Sequence, residues 1–333
     1  MKLYLKSTSC ISPVEITYFH KTFEFLINFS ENNKSVQVIN PNYTELLNLN
    51  TIRRISKFTK MGLHSALKCV ENFEDSLDAI IVGTGIGGFR NTELFLFDMD
   101  QNCEKNLSPN PFFQSLHSSL SGNIAIALNC NCYNTTYVNK GTSFESAILD
   151  SMMFIEENPN QHILIGASDE ITDEYTSIVN RTNYFERTPA VLGEGSAFFI
   201  VSGKKSENDI SIIGLSILFM ASANETLQSI QKLLDENNII NKDIDLILSG
   251  SSSLISDICT INSNFNNIHT INYKNYVGEY PTSSAFALWF AEKIIATQHI
   301  PMICNQPTNI KEIKVILIVN QYLNNTSIIV ISK

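Results

Sequence analysis

Two spacings of apolar residues alternate along the chain. Short aliphatic and aromatic runs bounded by glycine or polar clusters read as strands: "LDAIIVG" (77–83), "HILIGAS" (162–168), "SAFFIVS" (196–202), "ISIIGLSILF" (210–219) and "IDLILSG" (244–250). "NTTYV" (134–138) is a shorter strand candidate, and "MKLYLKSTSC" (1–10) alternates like an edge strand. Helical spacing lies between them. It runs through Phe144, Ala147, Ile148, Met152 and Ile155 in "SFESAILDSMMFIEE" (143–157), and it also marks "NETLQSIQKLLDENN" (224–238) and a stretch beginning near Asn91. In "YKNYVGEYPTSSAFALWFAEKII" (273–295) a strand-like run ends at Lys274, a glycine turn follows, and an apolar helix closes the segment.

Such alternation predicts an α/β fold. The pattern restarts after the polar interruption "GKKSEND" (203–209), and "DSLDAIIVGTGIGG" (75–88) resembles "DIDLILSGSSSLIS" (243–256). Each follows a helix, rises as an apolar strand and turns at a small residue. The economical reading is two related halves, 1–205 and 206–333.

Composition narrows the class. With 44% hydrophobic and 17% charged residues the chain is globular rather than disordered. A net charge of −10 argues against general binding to nucleic acid or acidic membranes. The local exception is "IRRISKFTK", with Arg53, Arg54, Lys57 and Lys60; it reads as a solvated helix face or as a dock for an acidic protein. No apolar run is long enough to span a bilayer, and the first residues lack the apolar stretch of a signal peptide. The seven cysteines are scattered, and Cys130 and Cys132 have no second pair at zinc-finger spacing. Reduced thiols in a cytoplasmic protein, and no metal, are expected.

Several motifs have bland explanations. "GTGIGG" (83–88) fits the dinucleotide pattern through Gly83, Gly85 and Gly88. A nucleotide site also needs an acidic residue about twenty positions on, at the end of the next strand. Asp98 and Asp100 come too early, in a helical-looking segment, so no cofactor is expected and nicotinamide binding stays a minor alternative. None of the histidines at 20, 64, 117, 162, 269 and 299 has an elbow or HExxH context, so surface or satisfied histidines are expected. A tight turn accounts for the glycines of "GEGSAFFIVS", and core packing for Met152 and Met153.

The order of segments carries more information than any one of them. "IRRISKFTKMGLHSALKCVE", "DAIIVGTGIGG", "NPFFQSLHSSLSGNIAIAL", "ILIGASDE", "AVLGEGSAFFIVS", "YKNYVGEYPTSSAFAL" and "NQYLNNTSIIVISK" follow one another as the motifs of β-ketoacyl synthases do. This resemblance covers nearly the whole chain. It implies a thiolase-like fold with two similar βαβαβαββ halves in a five-layered αβαβα arrangement, normally dimeric.

The family's chemistry uses a cysteine nucleophile at a helix N-terminus and two histidines. Matching "TYVNKGTSFESAILDS" places the nucleophile at Gly141, within the range Lys140 to Thr142, and none of these is cysteine. Gly250 or Ser251 takes the place of the first histidine, and Glu279 takes that of the second; the family lysine is retained as Lys274. "NQYLNNTS" stands where active members have a loop rich in glycine and phenylalanine. Ordinary condensation by this chain is therefore not expected.

Cys-less members of the family act as chain-length factors, and a compact branch accompanies aryl-polyene and flexirubin-type pathways. Resemblance to that branch implies a heterodimer with a Cys-containing ketosynthase subunit, served by an acyl carrier protein. It also implies an interface at Thr135, Thr136, Tyr137 and Val138, and tunnel residues Phe112, Phe113 and Leu116; for the aromatic pair, ordinary core packing is the competing reading. The alternative from another class is an acyl-handling enzyme with Thr142 or Ser143 as acceptor, or Glu279 as base.

Overall fold

The computed structural model describes residues 2–19, 22–27, 34–182, 191–207, 209–251, 265, 268–304 and 312–333. His20 and Cys259 lie outside them. The described strands are β1 (Leu3–Ile11), β2 (Glu15–Phe19), β3 (Thr22–Leu26), β4 (Ala79–Gly83), β5 (Tyr133–Tyr137), β6 (His162–Asp169), β7 (Gly195–Ser202), β8 (Ser211–Phe219), β9 (Leu246–Gly250), β10 (His269–Asn272), β11 (Val315–Tyr322) and β12 (Asn325–Ser332). Ten of them are hydrogen-bonded in the order β10-β9-β11-β12-β8-β1-β7-β6-β4-β5.

That order contains one pattern twice. Counted along the chain, the first half runs first-fifth-fourth-second-third through β1, β7, β6, β4 and β5, and the second half repeats this through β8, β12, β11, β9 and β10. The pairing directions repeat as well. The second strand is parallel to both neighbours, whereas the fifth is antiparallel to the first and fourth. The halves join where Leu3 and Tyr4 of β1 meet Ile212 and Ser211 of β8. This is a thiolase-like architecture of two similar halves.

Strand periodicity produces the layers, because alternate residues point to opposite faces. Ile80 and Val82 of β4 pack outward with the helices Lys57–Val70 and Ser119–Ala127. Ala79 and Ile81 point inward, to a core shared with Leu246 and Leu248 of β9 and with the helices Ser143–Glu157 and Ser283–Thr297. Ile247 of β9 points out again, against the helix Ala223–Glu236. The result is helix, sheet, helix, sheet, helix. A fully buried aliphatic side chain on any of these faces contributes about 1.5–3 kcal/mol.

Some local expectations change. β1 alternates like an edge strand but runs between β7 and β8. Lys274 begins a short helix, Lys274–Val277, instead of ending a strand. Met153 is exposed on its helix. His64 is buried with neither ring nitrogen hydrogen-bonded among the described residues, and burial lowers its pKa. Asn129, at positive φ, leads into Cys130 and Cys132, whose Cα atoms lie 5.5 Å apart. Gly193 is required by crowding more than by a turn, since a Cβ there would lie 1.9 Å from the Val277 carbonyl oxygen. No described helix is long and apolar enough to cross a membrane.

Candidate functional site

The end of β11 gathers four separate segments. Asn320 is paired with Gly250 across the β9–β11 ladder. It accepts a 2.7 Å hydrogen bond from the Tyr273 hydroxyl, and that hydroxyl would stand 2.2 Å from a Cβ at Gly250. Position 250 therefore has no room for a side chain while Tyr273 holds this place.

The next residue, Gln321, accepts a 2.7 Å bond at its backbone carbonyl from Lys274 Nζ. Lys274 also forms a 2.7 Å ion pair with Glu279 Oε1, and both side chains are buried. The turn between them depends on Gly278, whose φ of 75° lies in the left-handed region that disfavours side chains. Burial pushes the Lys274 ammonium below its ordinary pKa, while Glu279 opposes that push.

Tyr322 completes the group. A Cβ at Gly141 would lie 2.4 Å from the Tyr322 Cβ, so the tyrosine occupies the space into which a side chain at 141 would grow. Beyond it the strand turns tightly: Tyr322 pairs with Asn325 across Leu323, which has a φ of 52°, and Asn324. Thus "NQYLNNTS" is mostly strand and hairpin. One turn into the helix Ser143–Glu157, the buried carboxyl of Glu145 accepts a 2.6 Å bond from Ser327, and burial raises its pKa.

Gly141, Gly250, Lys274 and Glu279 are therefore brought together, around Asn320, Gln321 and Tyr322. Glu145, Tyr273 and Tyr322 were not singled out from sequence. Glu145 is a carboxylate on the buried face that Phe144, Ala147 and Ile148 mark, and its polar side chain hides that burial from the spacing.

The chemistry open to this arrangement is limited. An ionised Glu279 held by Lys274 has no proton to donate to an enolate. Thr142 donates its hydroxyl proton to the Asn139 carbonyl, at 3.0 Å. Ser143 Oγ lies 2.9 Å from the Thr84 carbonyl and 2.7 Å from that of Lys140, and it accepts from the Asn139 amide. Neither hydroxyl has a base beside it among these partners, and an unactivated hydroxyl is a weak nucleophile. No cluster of three metal-ligating side chains occurs among the described residues.

The glycines of "GTGIGG" have local causes. A Cβ at Gly83 would meet the Ser143 backbone at 2.7 Å, and one at Gly85 would meet Pro281 at 2.2 Å. The amides that would cradle a phosphate are already used. Gly85 and Ile86 donate to Asp169, and Gly87 donates to the Thr84 hydroxyl.

The remaining expected positions lie elsewhere. β5 is an edge strand of the sheet. Asn134 and Thr136 bond Ser121 on one face, and Tyr133 stacks on Phe154 on the other. Val138 lies just beyond the strand and is exposed. Phe112 and Phe113, at 46% and 61% exposure, are not core residues, and Leu116 is exposed beside them. The ring of Phe95, on the helix Phe89–Gln101, lies 5.4 Å from Phe112. That helix also exposes Leu94 and Phe97, which no apolar stripe at helical spacing marks. Of the basic stretch, Arg53 and Arg54 face solvent, while Lys57 is paired with Glu194.

Residues 28–234 match the family model described as β-ketoacyl synthase, N-terminal domain. No curated protein matches the chain. Among solved structures, the ishigamide ketosynthase/chain length factor is similar at 15% identity and a TM-score of 0.75, over 100% of this chain and 99% of that one. A ketosynthase (ApeO) in complex with its chain length factor (ApeC) from Xenorhabdus doucetiae is similar at 13% identity and a TM-score of 0.74, over 99% and 97%. A type II polyketide acyl-carrier protein complex with its ketosynthase, AntDE:AntF, is similar at 13% identity and a TM-score of 0.77, over 99% of each chain.

Proposed function

The chain belongs to the β-ketoacyl synthase family, and from that premise we propose that it is a non-condensing member, the chain-length-factor-like half of a heterodimer with a Cys-containing ketosynthase. The observation that carries this reading is the filled site. Lys274 and Glu279 are paired in the interior, and Tyr322 covers Gly141, where the family's nucleophile is matched. Condensation needs a thiolate to take the acyl chain and neutral donors to stabilise the enolate. The residues at the matched positions offer neither.

The surface supports the other half of the proposal. The free edge of β5 presents unpaired backbone groups, which natural proteins usually cover. The exposed aromatic pair Phe112 and Phe113, in contact with each other and with Phe95, would suit a partner of complementary apolar surface. We assign that role to the synthase subunit, with an acyl carrier protein delivering to the pair and a polyketide or aryl-polyene chain as product. Solved complexes of the same fold that pair a ketosynthase with a chain length factor favour the assignment.

The test is reconstitution of the chain with a Cys-bearing synthase and a loaded carrier protein. A one-to-one complex is expected, in which intact-mass spectrometry finds acyl groups on the synthase and carrier only. A stoichiometric adduct on Thr142 or Ser143, abolished by alanine substitution, would overturn the non-catalytic reading.

A further inference from the structure

Neither the filled site nor the exposed aromatics involve Cys130 and Cys132. These residues join the helix Ser119–Ala127 to β5, which begins at Tyr133. A fully extended chain would hold two residues at this spacing about 6.6–7.2 Å apart. Here the Cα atoms lie 5.5 Å apart, and a disulfide spans about 4.4–6.8 Å. Both ends of the short segment are fixed. The Cys130 amide donates to the Ala125 carbonyl at 2.9 Å, and Tyr133 is paired with Ala79 of β4. The two thiols are therefore held close together by the backbone, with little chain left to order.

Their surroundings also differ from those of the other thiols. Cys10, Cys69, Cys103 and Cys304 stand singly. Burial pushes Cys69 up to about 12 and Cys304 up to about 11, and it raises Cys10 further still, so these three stay protonated and inert. Cys130 and Cys132 are only half-buried. Both line an open cleft of about 570 Å³, a size that admits a small molecule. Asp75 and Asp78 stand on its wall, and no basic side chain lines it among the described residues. Such a cleft repels anions.

We propose that Cys130 and Cys132 form a thiol–disulfide exchange site whose substrate is a small disulfide carrying no negative charge. One cysteine, as its thiolate, attacks a sulfur of the small disulfide. That S–S bond breaks, and the departing thiolate takes up a proton. The second cysteine loses its proton to water and attacks the mixed disulfide, expelling the other small thiol and closing the bond between Cys130 and Cys132. The pair is oxidised by two electrons, and the small disulfide is reduced to two thiols. The inference stands whether or not the chain pairs with a synthase.

The test exposes the reduced full-length chain to cystamine or to glutathione disulfide at equal concentration and low salt, with acid quenching and peptide mass spectrometry. With cystamine, the peptide containing Cys130 and Cys132 should lose two hydrogens, carry no adduct, and react before Cys103. Dithiothreitol should reverse the change. Cys130→Ser and Cys132→Ser should each retain one cysteamine adduct on the remaining thiol. Anionic glutathione disulfide should react about tenfold more slowly, and Asp75→Asn should narrow that ratio. Adducts retained on both cysteines of the parent chain, or complete reaction of Cys103 while the pair stays reduced, would overturn the exchange site. Equal rates with the two disulfides would overturn its selection by charge.

Discussion

At the scale of single residues, the site is decided by one buried ion pair and one tyrosine. Removing one member of a buried pair leaves the other charge without compensation, at a cost of about 3–5 kcal/mol. Lys274→Met should therefore lower the unfolding free energy by about that much, measured by urea denaturation of the isolated chain. Lys274→Met combined with Glu279→Leu should recover most of the loss, since two apolar side chains replace both charges together. If the double variant is as unstable as the single one, the pair is not the main interaction at this turn. The sequence made part of this legible. Glu279 could be read as standing at a histidine's place, five residues after Lys274. The closure of the pair could not be read, because it depends on the left-handed turn at Gly278 and on a carbonyl from Gln321, 47 residues further on. Tyr322 was hidden for the same reason: its contact with Gly141 joins the last hairpin to the first half of the chain.

At the scale of elements, periodicity identified most strands and helices and missed their neighbours. The helix Ser143–Glu157 and the strands β4, β6 and β7 follow the spacing of their apolar residues closely. β1 was misplaced because alternation reports a half-buried strand without saying whether a second strand lies alongside. For β5 the ladder fixes which backbone groups are free. The Tyr137 carbonyl accepts from Thr84 of the strand-end loop, so the odd-numbered residues of this parallel pair bond inward. Thr136, with its amide directed to the open edge, is the place to test assembly. Thr136→Pro removes an outward donor and spares the β4 ladder. Its other loss in the isolated chain is the 2.9 Å bond between the Thr136 and Ser121 hydroxyls. A small drop in melting temperature together with a large loss of synthase binding is expected. Equal binding by the variant and the parent chain would show that this edge is not the contact.

For the whole molecule, the repeated strand order sets two similar halves side by side. Each half contributes five neighbouring strands to that order, and we place the junction of the halves near residue 205, between β7 and β8. At positions 141 and 250 the side chains of Tyr322 and Tyr273 take the room a substituent would need, and Glu279 is paired with Lys274. On the outside of the molecule, the exposed aromatics make a directional claim. Phe112 and Phe113 are exposed in the isolated chain, so truncating them creates no core cavity and should leave its stability almost unchanged. If the pair closes the far end of the partner's acyl channel, Phe112→Ala or Phe113→Ala should lengthen the product by removing a plug. Phe95, stacked against Phe112, should give a weaker effect in the same direction. Product length and melting temperature measured on the same reconstituted complexes decide the matter. Longer chains from complexes of parental stability place the aromatic pair at the channel. Parental chain lengths from stable complexes of both variants would take this segment out of the tunnel and leave it as an interface patch.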